Sequence, residues 1–274
     1  MSKEFADRIA VVTGAGRGLG RETARALSAR GAICALVARS DSQLRETEQL
    51  IATAGGQAKI FPSDISDKQS VTLLAKTVED QLGPVSILVN AAGIFGPIQM
   101  IKDSNVDRWI ETIRINTIGP YLTCRAFVGG MIDRGWGRIV NFTSAAALHP
   151  PGPLNSAYGT SKVALNQFTR HLAAELAGTG VTANVLHPGD VKTDMWAAIQ
   201  EEAERLGPEA DGYRAWVKWV GKTGGDPPHK AADLVVKLAS QASHDVTGRF
   251  LWIEDGLQPP IPSWELPPDA RPWQ

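Results

Sequence analysis

The chain has little of what would send it into several large classes. Its 274 residues include two cysteines, Cys34 and Cys124, with no CxxC pair and no metal-like spacing to any of the five histidines. That excludes a disulfide framework and a cysteine-built metal centre, and both thiols, set in apolar stretches, read as small buried side chains. No apolar run approaches the roughly 20 residues a membrane-crossing helix needs. Neither sign of charge dominates: 28 basic and 29 acidic side chains leave a formal charge of −1. Nothing electrostatic therefore calls for nucleic acid or an anionic membrane as partner. The opening MSKEFADR is polar and runs straight into an apolar strand, unlike a secretory leader. The expectation is a cytoplasmic chain without metal, membrane or nucleic acid.

What is present is patterned. An apolar share of 43% with 21% charged residues suits a packed core, and the length suits one large α/β domain over 1–274. Short β-branched runs at 8–13, 32–38, 58–61, 85–89 and 138–142 read as buried strands. Helical stretches at 20–30, 41–54 and 67–82 separate the first four, two of them stopped by Gly31 and Gly55-Gly56. This alternation implies a single doubly wound parallel sheet of the Rossmann type, with helices on both faces.

The turn after the first strand reads Thr13-Gly-Ala-Gly-Arg-Gly-Leu-Gly20. Glycines there let the backbone turn tightly and approach a pyrophosphate whose charge meets a helix N-terminus, which makes Gly14, Gly18, Leu19 and Gly20 candidate dinucleotide contacts. Glycines at a strand–helix junction can also be purely structural. The second strand ends Val37-Ala38-Arg39-Ser40, without the carboxylate that would bind a ribose 2′-hydroxyl in an NAD site. Arg39 and Arg17 instead offer guanidinium forks to a 2′-phosphate, with Ser40 beside them, so NADP(H) is expected over NAD(H). Each arginine alone could equally be a solvated surface cation. Asp64 is either an acceptor for the adenine amine, with Ile65 against the ring, or a helix cap. Asn90-Ala91-Ala92-Gly93 ends the fourth strand in small residues, as a backbone passing close to a cofactor requires.

Tyr158-Gly-Thr-Ser-Lys162 opens a helical stretch, so the phenol and the ammonium stand one turn apart on one face. A free tyrosine titrates near about 10. A neighbouring ammonium favours phenolate, so the pair is expected to pull the Tyr158 pKa down toward a working general acid–base.

TGAGRGLG, NAAG at 90–93, Asn116 in IRINT, Ser144 in NFTSA, the Tyr158/Lys162 pair, then Pro188-Gly189 and Thr193 occur in that order. The arrangement resembles the short-chain dehydrogenase/reductase family over nearly the whole chain, from about residue 5 to 256. The resemblance implies a tetrad. Tyr158 would be general acid in reduction and base in oxidation, and Lys162 would depress its pKa and hold the nicotinamide ribose. Ser144 would bind the substrate oxygen, and Asn116 would hold a water linking Lys162 to solvent. Pro188, Gly189, Val191 and Thr193 would border the nicotinamide. Taken singly, Asn116 could be a capping or turn residue and Ser144 a plain loop hydroxyl.

The resemblance also implies a substrate lid at about 194–228 and a homodimer or homotetramer. An extended tail rich in proline and tryptophan at about 257–274 would lie on a neighbouring subunit or end frayed. The apolar residues of the lid, Trp196, Ile199, Leu206, Trp216 and Val220, either face a hydrophobic substrate or pack the lid on its own body. His149, in a proline-rich loop that is about one residue longer than the family's usual length, is a substrate contact or an ordinary surface residue. The expected function is hydride transfer between NADP(H) and a small-molecule carbonyl/alcohol pair. A non-catalytic dinucleotide sensor, an NAD-dependent enzyme, and an epimerase or dehydratase on a related fold are the competing readings.

Overall fold

The computed structural model describes residues 3–148 and 152–253; His149 and the 257–274 tail fall outside the described residues. Within them, seven strands form one parallel sheet: β1 (Ile9–Thr13), β2 (Ile33–Ala38), β3 (Gln57–Pro62), β4 (Val85–Asn90), β5 (Gly137–Phe142), β6 (Val181–His187) and β7 (Phe250–Trp252). Their order across the sheet is β3-β2-β1-β4-β5-β6-β7. Buried on both faces, these strands carry continuous apolar runs instead of alternating ones. Successive residues of β1 feed opposite cores, Ala10 and Val12 into one, Ile9 and Val11 into the other.

Two helical layers cover those cores. On one side lie α1 (Gly18–Ala29), which packs on α9 (Pro228–Ala239), and α2 (Asp41–Thr53). On the other lie α3 (Lys68–Leu82), α5 (Gly119–Asp133) and α6 (Ser156–Glu175). Cys34 and Cys124 are buried, one in each core, and burial pushes both thiols up to about 12, so neither is a reactive thiolate.

The expected strands and early helices are present within a residue or two. Asp67 caps α3, its Oδ2 accepting from Ser70 N at 2.6 Å. Between β4 and β5 the chain holds α4 (Val106–Ile113), a π turn at Arg114–Ile118 and then α5. Pro120, in the first turn of α5, has no N–H for the regular ladder, which favours the widened turn just before it. After β6 come α7 (Asp194–Arg205) and α8 (Asp211–Thr223), packed on each other and around a third apolar cluster with Ile98 and Leu154.

The chain moves outward from β1 through β2 to β3, then returns so that β4 flanks β1 on its other side. The connections therefore part at the carboxyl ends of β1 and β4, which leaves a crevice there.

Candidate active site

A cleft of about 300 Å³ occupies that crevice. Gly14, Arg17, Gly18, Leu19 and Gly20 of the first turn line it, with Arg39, Ser40, Asp64, Ile65, Ala91, Gly93 and Thr193. Two glycines are needed for its shape, and a third meets the buried polar group behind it. Gly14 adopts φ +68°, and a Cβ on it would lie 2.8 Å from Ala92 Cα. A Cβ on Gly20 would stand 2.3 Å from the Gly14 carbonyl oxygen, so only glycine lets the helix press onto the turn. On Gly93 a Cβ would project between Asn116 Oδ1 (3.2 Å) and Lys162 Nζ (3.7 Å).

The start of α1 is equipped for an anion. Its capping residue, Arg17, contributes no side-chain cap, and its first turn has no acidic residue. The opening N–H groups are thus left to the cleft, where the helix dipole favours negative charge. Arg17 reaches across the mouth to Asp194 at 2.9 Å, both side chains well exposed (61% and 67%). Arg39 is exposed at the rim and has no ion-pair partner among the described residues. Ser40 caps α2. Asp64 does not cap α3; its Oδ1 accepts from Ser66 N and Oγ at 2.9 and 2.7 Å.

Six positions expected to border the cofactor are not among the lining residues of this cleft: Asn90, Pro188, Gly189, Val191 and the Tyr158/Lys162 pair. Asn90 is buried, donating to Asn141 Oδ1 (2.9 Å) and accepting from Thr123 Oγ1 (2.7 Å). Its side chain ties β4 to β5 and α5 instead of facing the crevice. Pro188, Gly189 and Val191 are not among the lining residues, and the wall resumes at Thr193. The loop they form is clipped from behind. Asp190 N donates to Asp226 Oδ2 and Asp226 N to Asp190 O, both at 2.9 Å, while Asp190 Oδ1 accepts from Trp216 Nε1 at 3.0 Å.

Beyond Gly93 sits a buried polar group. Lys162, 4% exposed, donates to Phe142 O at 2.8 Å, its one hydrogen bond to the described residues. Two N–H directions remain open, which is the fit expected of a lysine that holds ribose hydroxyls. Asn116, brought in by the π turn, accepts from Ile94 N (2.9 Å) and donates to Ile94 O (2.8 Å) and Ser161 Oγ (3.0 Å). The Tyr158 phenol hydrogen-bonds Ser144, whose Oγ also accepts from Ala146 N at 3.2 Å. Asn116, Ser144, Tyr158 and Lys162 are thus brought together next to Gly93, which lines the cleft, although none of the four is itself among its lining residues.

One electrostatic expectation is reversed. The ammonium does not pull the phenol down: burial pushes Tyr158 up to about 12, with the Ser144 hydrogen bond offsetting part of the rise. Burial likewise pushes Lys162 down to about 8. The amine lies 5.5 Å from the Tyr158 ring centroid, and both groups have left water, so each is shifted toward its neutral form, although Lys162 is still largely an ammonium at neutral pH.

Sequence reasoning missed Phe95, whose ring stacks on Tyr158 at 4.6 Å and meets Tyr213 edge-on at 5.9 Å. It also missed Asp194. No spacing signal marks Phe95; Asp194 was open to notice only as an acid following Thr193.

The family model for short chain dehydrogenases matches residues 8–204, which carry the glycine turn, the tyrosine and the lysine. The chain belongs to the short-chain dehydrogenase family. Short-chain dehydrogenases are oxidoreductases of alcohol/carbonyl pairs, and this chain is one of them. It is 37% identical to the short-chain reductase protein NovJ of Streptomyces niveus, over 91% of this chain and 94% of that one. Among solved structures it is similar to a metagenomic short-chain oxidoreductase in complex with NADP (29% identity, TM-score 0.74, covering 93% of this chain and all of that one). It is also similar to an NAD+-bound xylitol dehydrogenase (26% identity, TM-score 0.82, covering 92% of this chain and all of that one).

Proposed function

We propose that this short-chain dehydrogenase is an NADP(H)-dependent ketoreductase or alcohol dehydrogenase with Asn116, Ser144, Tyr158 and Lys162 as its reacting set. The observation that carries the reading is the buried Lys162 ammonium, with two unused N–H directions, beside Gly93, which lines the glycine-rich cleft. When bound, a nicotinamide dinucleotide supplies the ring carbon that gives or takes hydride.

The N–H groups that open α1 hold the pyrophosphate. Asp64 and Ile65 border the adenine, and Arg39, unpaired at the rim, meets the 2′-phosphate. Arg17 joins it by turning from Asp194, an exposed pair of the kind worth about 0–1 kcal/mol. Lys162 holds the nicotinamide ribose hydroxyls, and Thr193 meets the carboxamide, with Pro188, Gly189 and Val191 behind it.

In reduction, Tyr158 donates its phenolic proton to the substrate oxygen; in oxidation it takes the proton back. A phenol at about 12 is firmly protonated at neutral pH, which suits the acid role. Ser144, already bonded to that phenol, steadies the substrate oxygen. Asn116 belongs to the route from Lys162 to solvent, a reading supported by its Oδ1 and the Lys162 amine both lying within 4 Å of one point beside Gly93.

The proposal extends to one catalytic domain with α7 and α8 as the substrate lid. It also includes a homodimer or homotetramer, supported by exposed Val106, Ile110, Ile118, Tyr121 and Val163 on α4, the π turn, α5 and α6. Two free, buried thiols accord with a reducing, cytoplasmic setting.

The test is oxidation of NADPH, beside NADH, across aldehydes, ketones, diketones and keto esters, with Tyr158→Phe as the blank. Turnover with NADPH that vanishes in the variant, while NADPH still binds, is the expected result. Equal turnover in the variant would remove Tyr158 from its role.

A further inference from the structure

Next to Tyr158 the site has a wall drawn from four separate segments. Phe95 and Ile98 come from the loop after β4, Leu154 from the turn before α6, Met195 from α7, and Tyr213 and Trp216 from α8. None is charged. Ile98 and Leu154 are buried, whereas Phe95, Met195, Tyr213 and Trp216 keep part of their surface open, and Met195 also lines the cleft. Leu154 holds φ +70°, a left-handed conformation that L side chains rarely adopt, and keeps its side chain in the apolar cluster.

The wall has a defined shape at the reacting residue. Phe95 lies nearly parallel to Tyr158 (4.6 Å between centroids, 27°), and Tyr213 stands at 90° to Phe95. Two rings at right angles make a corner that a flat ring fills by offset stacking on one and edge contact with the other.

The wall is also short of hydrogen-bonding groups. Trp216 Nε1 is committed to Asp190. The Tyr213 hydroxyl makes no hydrogen bond to the described residues, and Trp196 Nε1, buried in the same cluster, has none either. An open-chain polyol brings a hydroxyl on almost every carbon, and each one buried without a partner is penalised. Even with Asn155 Oδ1, buried without a partner next to Leu154, the three free groups among the described residues cannot satisfy such a chain.

From the corner and the sparse polar supply we infer that this site takes an aryl-substituted carbonyl or alcohol, not an open-chain polyol, with Phe95 and Tyr213 as the specificity-determining residues. The inference rests on the alcohol/carbonyl reading proposed above. In the reducing direction the carbonyl carbon next to the ring gains a hydride from a reduced nicotinamide, and its oxygen gains the Tyr158 proton. The products are the aryl carbinol and the oxidised nicotinamide, and solvent returns the proton to Tyr158.

The test compares propiophenone with erythrulose as substrates of the full-length enzyme with NADPH and with NADH. Alongside it, quenching of tryptophan fluorescence by 1-phenylethanol is compared with quenching by xylitol. The expected result is a kcat/KM at least 100-fold higher for propiophenone, quenching by 1-phenylethanol alone, and a preference cut at least tenfold in Phe95→Ala. Tyr213→Ala should narrow it too, with the change mostly in KM. Equal or greater use of erythrulose overturns the inference and leaves the hydride-transfer reading standing, as does a preference unchanged in Phe95→Ala. Binding of 1-phenylethanol but not xylitol, with neither ketone turned over, supports the aryl site and overturns the proposed reaction instead.

Discussion

Lys162 offers a test that needs neither cofactor nor substrate. Burial lowers its pKa from 10.5 to about 8. The folded protein therefore binds fewer protons than the unfolded chain between those values, and its stability rises with pH across that window. Below about pH 8 the cost of burying the ammonium is present in full, roughly 3 kcal/mol; by pH 9.5 linkage reduces it to a little over 1 kcal/mol. Lys162→Met keeps the length and removes the titration. It also strands the Phe142 carbonyl, now bonded at 2.8 Å, but that loss of about 1–3 kcal/mol does not vary with pH. The stability of the variant minus that of the wild type should thus be about 2 kcal/mol more favourable at pH 6.5 than at pH 9.5. Urea unfolding of both proteins, without cofactor, reads this as a change of roughly 1 M in the midpoint difference. A difference that stays flat over this range would mean that Lys162 is not held below its ordinary value. A change of opposite sign would mean that a partner raises it.

Other consequences are open to direct measurement. Replacing Arg39 by Asp exchanges the unpaired guanidinium for a carboxylate at the rim of the cleft, where the proposed 2′-phosphate would sit. One lost charge-assisted bond, about 1.5–3 kcal/mol, should weaken NADPH binding roughly 10- to 100-fold with little loss for NADH; titration with both dinucleotides checks this, and equal losses would count against it. Asn116→Ala removes three hydrogen bonds between the π turn, the loop after β4 and α6. It should cost about 2–4 kcal/mol and lower the melting temperature by roughly 5–12 °C. A melt within a degree of the wild type would mean that the turn is held by something else.

What could be read from the chain without its structure followed from how local each signal is. The glycine turn, the strand runs and the Tyr158/Lys162 spacing each depend on residues within one or two helical turns, and the doubly wound sheet followed from their alternation. Asn116 stood out only as part of an ordered set; the π turn that aims it depends on the missing N–H of Pro120 and on Ile94, 22 residues away. Asn90 shows the limit of strand-end reasoning, because its neighbours face the cleft while its own side chain closes a hydrogen-bond path to Thr123 and Asn141 inside the core. Spacing correctly predicted that Lys162 would sit beside Tyr158. It carried no information on burial, and burial reverses the expected direction of the tyrosine's shift. Phe95, Tyr213 and the Asp190–Trp216 clip join segments far apart in sequence, and no periodicity marks them.

The most direct test of the central claim follows the hydride itself. The enzyme is given NADPH deuterated at the reactive ring position and a ketone that it turns over, and the product is analysed by mass spectrometry and NMR. The account predicts one deuterium on the carbinol carbon per NADPH consumed, and none of that product with Tyr158→Phe. Consumption of NADPH with no label on that carbon, or labelled product formed equally well by the variant, would contradict it.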